Sequence, residues 1–398
     1  VTTAAVMATG AGTAAAEEPV PLPGCPALLV LGVQGTSESS PTASPSVDSG
    51  MLGHVFGPML AEGASVDRVL IPYPASFGGV IGTGPGVDPF AASTDQARAR
   101  LDATAAEVVA QCPHTQIGAA GFSGGAAVIS EFARDVGAGV GPVPADRVAG
   151  VALLSDPTRP AGGQQLPGRP GQVSPSAPPG TDGAHTSQVR LAPVPASGGI
   201  ADNGTDFGDL AGRVGEFCAS GDLACDAPGH AAALRTAAGL AAQADLRDPL
   251  TAASSLAGAW GQTVTEASNT VVLSDVSVEN GQVNYAPAET VSQRLADAAD
   301  PRTPAASPEQ TQAAAEKVAQ IVAAIAADPL GQIPRLAGQI GAAIGAELAA
   351  NADLLNPATW AHYATVPVAH TGYAANGQTE AAADWLAALS HDLSETGQ

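Results

Sequence analysis

Four short apolar runs with helical stretches between them constrain this chain most. Residues 27–33 are continuously apolar, as a strand buried on both faces must be, and 66–73 are read as a second strand. Residues 115–122 and 148–155 make the third and fourth runs. Residues 93–111 and 124–135 carry helical patterns, the first opened by Ser93-Thr94-Asp95-Gln96, a capping-box spacing. Strands alternating with helices predict an α/β fold built on a mostly parallel, doubly wound sheet.

The third run ends in Gly121-Phe122-Ser123-Gly124-Gly125. Glycine is abundant here, 47 of 398 residues, so G-x-S-x-G alone is a weak signal. Its placement between a strand and a helix gives it weight. That context puts a serine on a sharp, strained turn with its hydroxyl held out at the top of a sheet. Ser123 is thereby the candidate nucleophile.

The chain is long enough for one large or two ordinary domains with a sizeable core. Its net charge is −23, and Lys317 is the only lysine. Such an acidic chain is repelled by nucleic acid and by anionic membrane surfaces, so no nucleic-acid partner is expected. No apolar run approaches the roughly 18 residues of a membrane span, so no transmembrane segment is expected.

The four cysteines, Cys25, Cys112, Cys218 and Cys225, form no C-x-x-C, and no histidine pair has metal-ligand spacing. No metal or cofactor is expected. Four cysteines allow three pairings. Loops closed by Cys218/Cys225 and Cys25/Cys112 would contribute about 2.5 and about 4.6 kcal/mol by chain entropy. An even count favours an oxidising, extracytoplasmic compartment. Residues 1–16 are small and uncharged, and Ala14-Ala15-Ala16-Glu17 resembles a signal-peptidase site. With no basic stretch before it, residues 1–24 read as a signal-peptide remnant or flexible N-terminus.

Residues 157–204 are rich in Pro, Gly and Ser and predict an extended surface loop or a partly disordered segment. The character changes again after residue 228. Val318, Ile321, Val322 and Ile325 share one helix face that Pro329 ends. Pro334 can start the next helix, whose face carries Leu336, Ile340, Ile344 and Leu348. Between these helical parts, 271–278 and 282–285 flank Asn280-Gly281, a hairpin signal. Residues 376–393 read as a last helix packed on the sheet.

A set of short segments, in order, resembles the cutinase-like serine esterases, a group of α/β hydrolases that includes actinobacterial cell-envelope lipases. They are Cys25-Pro26, Gly35-Thr36-Ser37-Glu38, Tyr73-Pro74-Ala75, Cys112-Pro113-His114-Thr115, the elbow, Leu154-Ser155-Asp156-Pro157, the stretch 218–225 with Gly221-Asp222 inside it, and His370-Thr371-Gly372-Tyr373. The resemblance implies a three-layer sandwich formed by 25–228 with 358–398. Residues 229–357 are then a large helical insertion before the catalytic histidine, able to act as a lid or an acyl groove. It implies Ser123 as nucleophile, Asp222 as orienting acid and His370 as base, since the family's base stands in H-x-x-Y. It also implies oxyanion donors at Gly124 and Thr36, and the pairs Cys25–Cys112 and Cys218–Cys225. The family usually has Gln where Gly124 stands and often Arg where Gln34 stands. Compact members place the base soon after the acid, so His230, eight residues beyond Asp222, is the alternative base. His362 precedes Tyr363 directly, which is the wrong spacing. Asp156 and His114 read as structural.

The function these features imply is an extracytoplasmic serine esterase or lipase. It would act on lipid or other acyl esters through an acyl-enzyme. The alternative is a weakly active or inactive cell-envelope lipid-binding protein on a hydrolase scaffold.

Overall fold

The computed structural model describes residues 18–202 and 204–396. The leader-like segment around Ala14-Ala15-Ala16-Glu17 lies outside them. Five strands form one parallel sheet in the order β2-β1-β3-β4-β5. In chain order the first elements are β1 (Leu28–Val33), α1 (Gly50–Glu62), β2 (Val66–Leu70), α2 (Phe90–Gln111), β3 (Gln116–Phe122), α3 (Gly124–Gly137), β4 (Val148–Leu154) and β5 (Val214–Phe217). The alternation of side chains along each strand divides the core in two. Leu29, Leu31, Val33, Ile117 and Val151 face α2 and α3, with Leu101, Ile129 and Phe132. Leu28, Val30, Ala120, Ala152 and Leu154 face the other layer, with Phe56 and Met59 of α1 and Trp385 and Leu389 of α11 (Gln378–Thr396). The result is the three-layer sandwich of an α/β hydrolase.

Strand order reverses between β1 and β3, so the crevice outside their carboxyl ends is the natural ligand position. Gln34 to Glu38 leave β1 there and Ser123 leaves β3 there.

Three local expectations need correction. The helix after the second strand starts at Phe90, capped by Pro89, so Ser93 is no N-cap. It is buried inside the helix, where its hydroxyl accepts from the Ser76 N–H at 3.1 Å. The residue 157–204 loop is irregular as expected but pinned to the core. Leu166, Leu191 and Arg159 are buried, and Arg159 donates to the Cys225 carbonyl at 2.9 Å. β5 has no counterpart among the apolar runs, because Gly215 and a buried Glu216 interrupt it.

Between β5 and α11 come α4 (Ala232–Gln243), α5 (Pro249–Thr270), β6 (Val276–Glu279), β7 (Gln282–Tyr285), α6 (Val291–Ala299), α7 (Pro308–Ala327), α8 (Pro329–Ala350), α9 (Pro357–His362) and α10 (Val366–Thr371). β6 and β7 pair as the hairpin that Asn280-Gly281 forecasts, both turn residues having positive φ. Residues 271–275 are a π-helical extension of α5, so the first strand is shorter than the apolar run. α8 begins at Pro329, capped by the Asp328 side chain, and Pro334 sits inside it. Pro329 stands in the first turn, where its missing N–H leaves no bond unmade. Among the described residues, no helix is long and apolar enough to cross a membrane.

Candidate active site

Ser123 has φ 54° and ψ −121°, a strained backbone for a residue with a side chain. The flanking glycines permit it. A Cβ on Gly121 would stand 2.6 Å from the Ala126 Cα, and one on Gly125 would stand 2.0 Å from the Val33 carbonyl oxygen. The Ser123 N–H donates to the Leu154 carbonyl at 2.9 Å, tying the turn to β4. This is the geometry of a nucleophile elbow, with Ser123 half-buried at the head of α3.

Asp222 is fully buried, in a turn closed by the Cys218–Cys225 disulfide. Its Oδ1 accepts from His370 Nδ1 at 2.8 Å and from the Ala224 N–H at 3.1 Å. Its Oδ2 accepts from the Ser155 hydroxyl at 2.6 Å and the Tyr373 hydroxyl at 2.7 Å. Burial pushes this carboxyl up, but the hydrogen bonds and charge of His370, with the bonds from Ser155 and Tyr373, outweigh it and hold it below the usual aspartate value. Tyr373 is itself pushed well up by burial and by the Asp222 charge, so it stays a donor.

His370, at the end of α10, keeps 28 % of its side chain exposed. Its Nδ1 also lies 3.1 Å from Ser155 Oγ, while Nε2 has no hydrogen-bond partner among the described residues. The Phe122 ring, next to Ser123 in the chain, stands 5.2 Å from the imidazole and 5.7 Å from the Tyr373 ring. One aromatic side chain thus spaces the elbow, the histidine and the tyrosine.

His230 lies elsewhere. It is 69 % exposed, with Nδ1 3.6 Å from Asp353. His362 Nε2 lies 3.2 Å from Asp226. The histidine brought to Asp222 is His370, across 148 residues of sequence.

The loop after β1 faces the elbow. A Cβ on Gly124 would come within 3.2 Å of Thr36 Oγ1 and 2.8 Å of the Phe90 ring. Phe90 therefore occupies the space into which a longer side chain at 124 would grow, which explains glycine there. Glu38 ties the loop down, accepting from the Gly35 N–H at 3.0 Å and the Met51 N–H at 2.9 Å. Burial raises the Glu38 carboxyl despite those two bonds and the nearby charges of His370 and His54. Tyr73 donates to the Gln34 carbonyl at 2.6 Å, and Gln34 Nε2 donates to Ser49, filling the Arg-like position with a neutral brace.

Sequence reasoning missed Ser155 as a site residue. Its signal was positional: it follows β4, the strand beside the elbow strand, and it too has a positive φ of 57°. The disulfides are Cys25–Cys112 and Cys218–Cys225, as the resemblance implied.

Among solved structures, the catalytic core of acetyl xylan esterase from Trichoderma reesei is 19% identical, covering 51% of this chain and 87% of that one, with a TM-score of 0.33. A cutinase-like protein from Cryptococcus sp. is 18% identical over 51% of this chain and 80% of that one, with a TM-score of 0.31. A curated relative, the carboxylesterase Culp6 homolog of Corynebacterium glutamicum, is 32% identical over 235 residues, 54% of this chain and 71% of the relative. The cutinase family profile matches residues 24–237, a span that holds the first disulfide, the elbow, Ser155 and Asp222. On that match and that relative, the chain belongs to the cutinase family of carboxylic-ester hydrolases.

Proposed function

We propose that this carboxylic-ester hydrolase works through Ser123, His370 and Asp222 on lipid acyl esters outside the cytoplasm. The observation that carries the assignment is the 2.8 Å bond from His370 Nδ1 to a fully buried Asp222, with the imidazole 5.2 Å from the ring of Phe122, the chain neighbour of a serine on a strained elbow. The carboxylate fixes the tautomer, leaving Nε2 as the base. Ser123 Oγ attacks the acyl carbonyl as its proton passes to His370 Nε2. The developing oxyanion is met by the Gly124 N–H and by Thr36. Each such donor is worth about 2.7–4 kcal/mol in related chemistry. The tetrahedral intermediate collapses, His370 returns the proton to the departing alcohol, and an acyl-enzyme remains. Water, deprotonated by the same histidine, releases the acid and restores the serine.

Three features support the finer reading. Two disulfides and no free cysteine among the described residues favour an oxidising compartment. The segment 229–357, which we assign as a functional unit separate from the hydrolase frame of 25–228 and 358–398, presents long apolar helix faces suited to lipid. Family membership favours an enzyme over a binding scaffold.

A fluorophosphonate probe with intact-mass analysis tests the triad. One adduct is expected on the wild type, none on Ser123→Ala, and labelling slowed at least about a hundredfold, the usual scale of general-base catalysis, on His370→Ala. An equally fast adduct on Ser123→Ala, or unchanged labelling of His370→Ala, would reject the assignment.

A further inference from the structure

The hairpin β6–β7 lies against α7 and α8, and the start of α6 closes one end. Between them is a groove of about 640 Å³, within the range of small-molecule sites. Its walls are branched aliphatic side chains, chiefly Val276, Val283, Val291, Ile321, Leu336 and Ile340, with Tyr285 the one aromatic ring among its lining residues. The backbone beside it is already satisfied. Gln332 and Gln339 of α8 accept from the Val283 and Tyr285 N–H groups at 3.0 and 2.9 Å. Along the hairpin the backbone therefore asks a ligand for no hydrogen bonds, and the groove offers almost no flat surface for stacking; one buried oxygen of Glu289 has no hydrogen-bond partner and is met by the Arg294 charge. Ile340 and Ile344 are 50 % and 59 % exposed on its open side, a cost in water that an apolar occupant removes.

The polar lining residues decide the ligand's charge. Glu289 and Glu347 stand on the groove. Glu289 is paired with Arg294 at 2.6 Å. Glu347 accepts from the Ser292 N–H at 3.2 Å and from Asn351 at 3.2 Å. Among the lining residues, no lysine or arginine is present to receive an anion, on a chain of net charge −23. A free fatty-acid carboxylate is repelled there, whereas a chain ending in a hydroxyl or an ester is not.

We propose that this groove binds a single long, uncharged alkyl chain, that of a fatty alcohol or an acyl ester. It deepens the lipid reading above by giving the chain a place outside the crevice of Ser123, and binding at the groove does not require hydrolysis.

The test uses the full chain carrying Ser123→Ala, so failure of the catalytic assignment cannot affect it. The probe is hexadecanol bearing a mid-chain diazirine, kept below its aggregation limit, irradiated and located by peptic mass mapping. Adducts are expected on peptides from 276–293 and 321–347, competed by plain hexadecanol and at least fivefold weaker with the corresponding diazirine palmitate. Ile340→Asp, at a half-exposed wall position, and the groove-filling Ala343→Trp should each cut labelling at least fivefold. Melting curves will identify a variant that fails to fold, and Ile340→Asp should melt as the parent does. Labelling scattered over the surface, equal labelling by the palmitate, or undiminished labelling of a folded Ile340→Asp would overturn the proposal. So would a stable dimer by sedimentation whose groove is unlabelled, which would place a second copy there.

Discussion

Asp222 and Glu216 are both buried carboxyls, and their surroundings drive them apart. Asp222 receives four donors and is held below its ordinary value. Its contribution to stability is complete above the usual aspartate range and is lost as pH falls through its depressed value. Ser155→Ala and Tyr373→Phe each remove one donor to Oδ2. Hydrogen bonds to charged groups are worth about 1.5–3 kcal/mol, so kcat should fall about tenfold or more in each. The acid limb of the pH–rate profile should move to higher pH, which a merely structural change would not cause. Glu216 has the opposite sign. Burial drives it well above the ordinary glutamate value, Asp156 adds to this, and neither carboxylate oxygen has a hydrogen-bond partner. Its stability term is complete below the ordinary value and is lost as pH rises through the elevated one. In urea unfolding at pH 5 and pH 8, Glu216→Gln should gain on the wild type as the pH is raised, and an equal difference at the two pH values would contradict the raised carboxyl. At this scale the sequence named Ser123, Asp222 and His370 but not their braces. A hydroxyl such as Ser155 becomes visible only when the sheet register sets β4 beside β3.

At the scale of elements, the elbow and the start of α2 are fitted to one another through Gly124 and Phe90. A side chain at 124 meets the Phe90 ring at its first carbon. Gly124→Ala should therefore lower kcat/KM about tenfold by shifting the N–H proposed to meet the oxyanion, and adding Phe90→Ala should restore much of the loss. A double-mutant cycle measures that coupling, and strict additivity would contradict it. β1, β3 and β4 were legible as strands because burial on both faces demands continuous apolar sequence, whereas β2, at the sheet edge, carries Asp67 and Arg68 and is fully buried only at Val69 and Leu70. β5 was not, since four residues containing Gly215 and Glu216 carry too little pattern. Helix starts were the least legible feature. The Ser93 signal lost to Pro89 because the Ser93 hydroxyl is used to hold Ser76, and the Pro334 signal lost to Pro329 because Asp328 supplies a cap.

For the whole molecule, charge is the property that distance does not erase. With −23 on 398 residues, approach to an anionic surface is opposed over the whole encounter. Hydrolysis of a neutral ester carried in phosphatidylcholine vesicles should slow when phosphatidylglycerol is mixed in, and added salt should close the gap. Equal rates at low salt would show that the site is approached from a face the net charge does not govern. Composition made this legible without any structure, whereas the placement of the inserted helices depended on side-chain packing that periodicity alone does not specify.

The route of the chain between Asp222 and His370 has a consequence for biosynthesis. On the proposed assignment, nucleophile and acid are made early, and the base emerges only after α4 to α9, within α10. A nascent or interrupted chain ending anywhere within 229–357 holds the serine and the acid but lacks His370, the base assigned to them. It is hydrolytically silent until synthesis has passed the last inserted helix. Synthesis of α10, which carries His370, is thus the event that arms the enzyme.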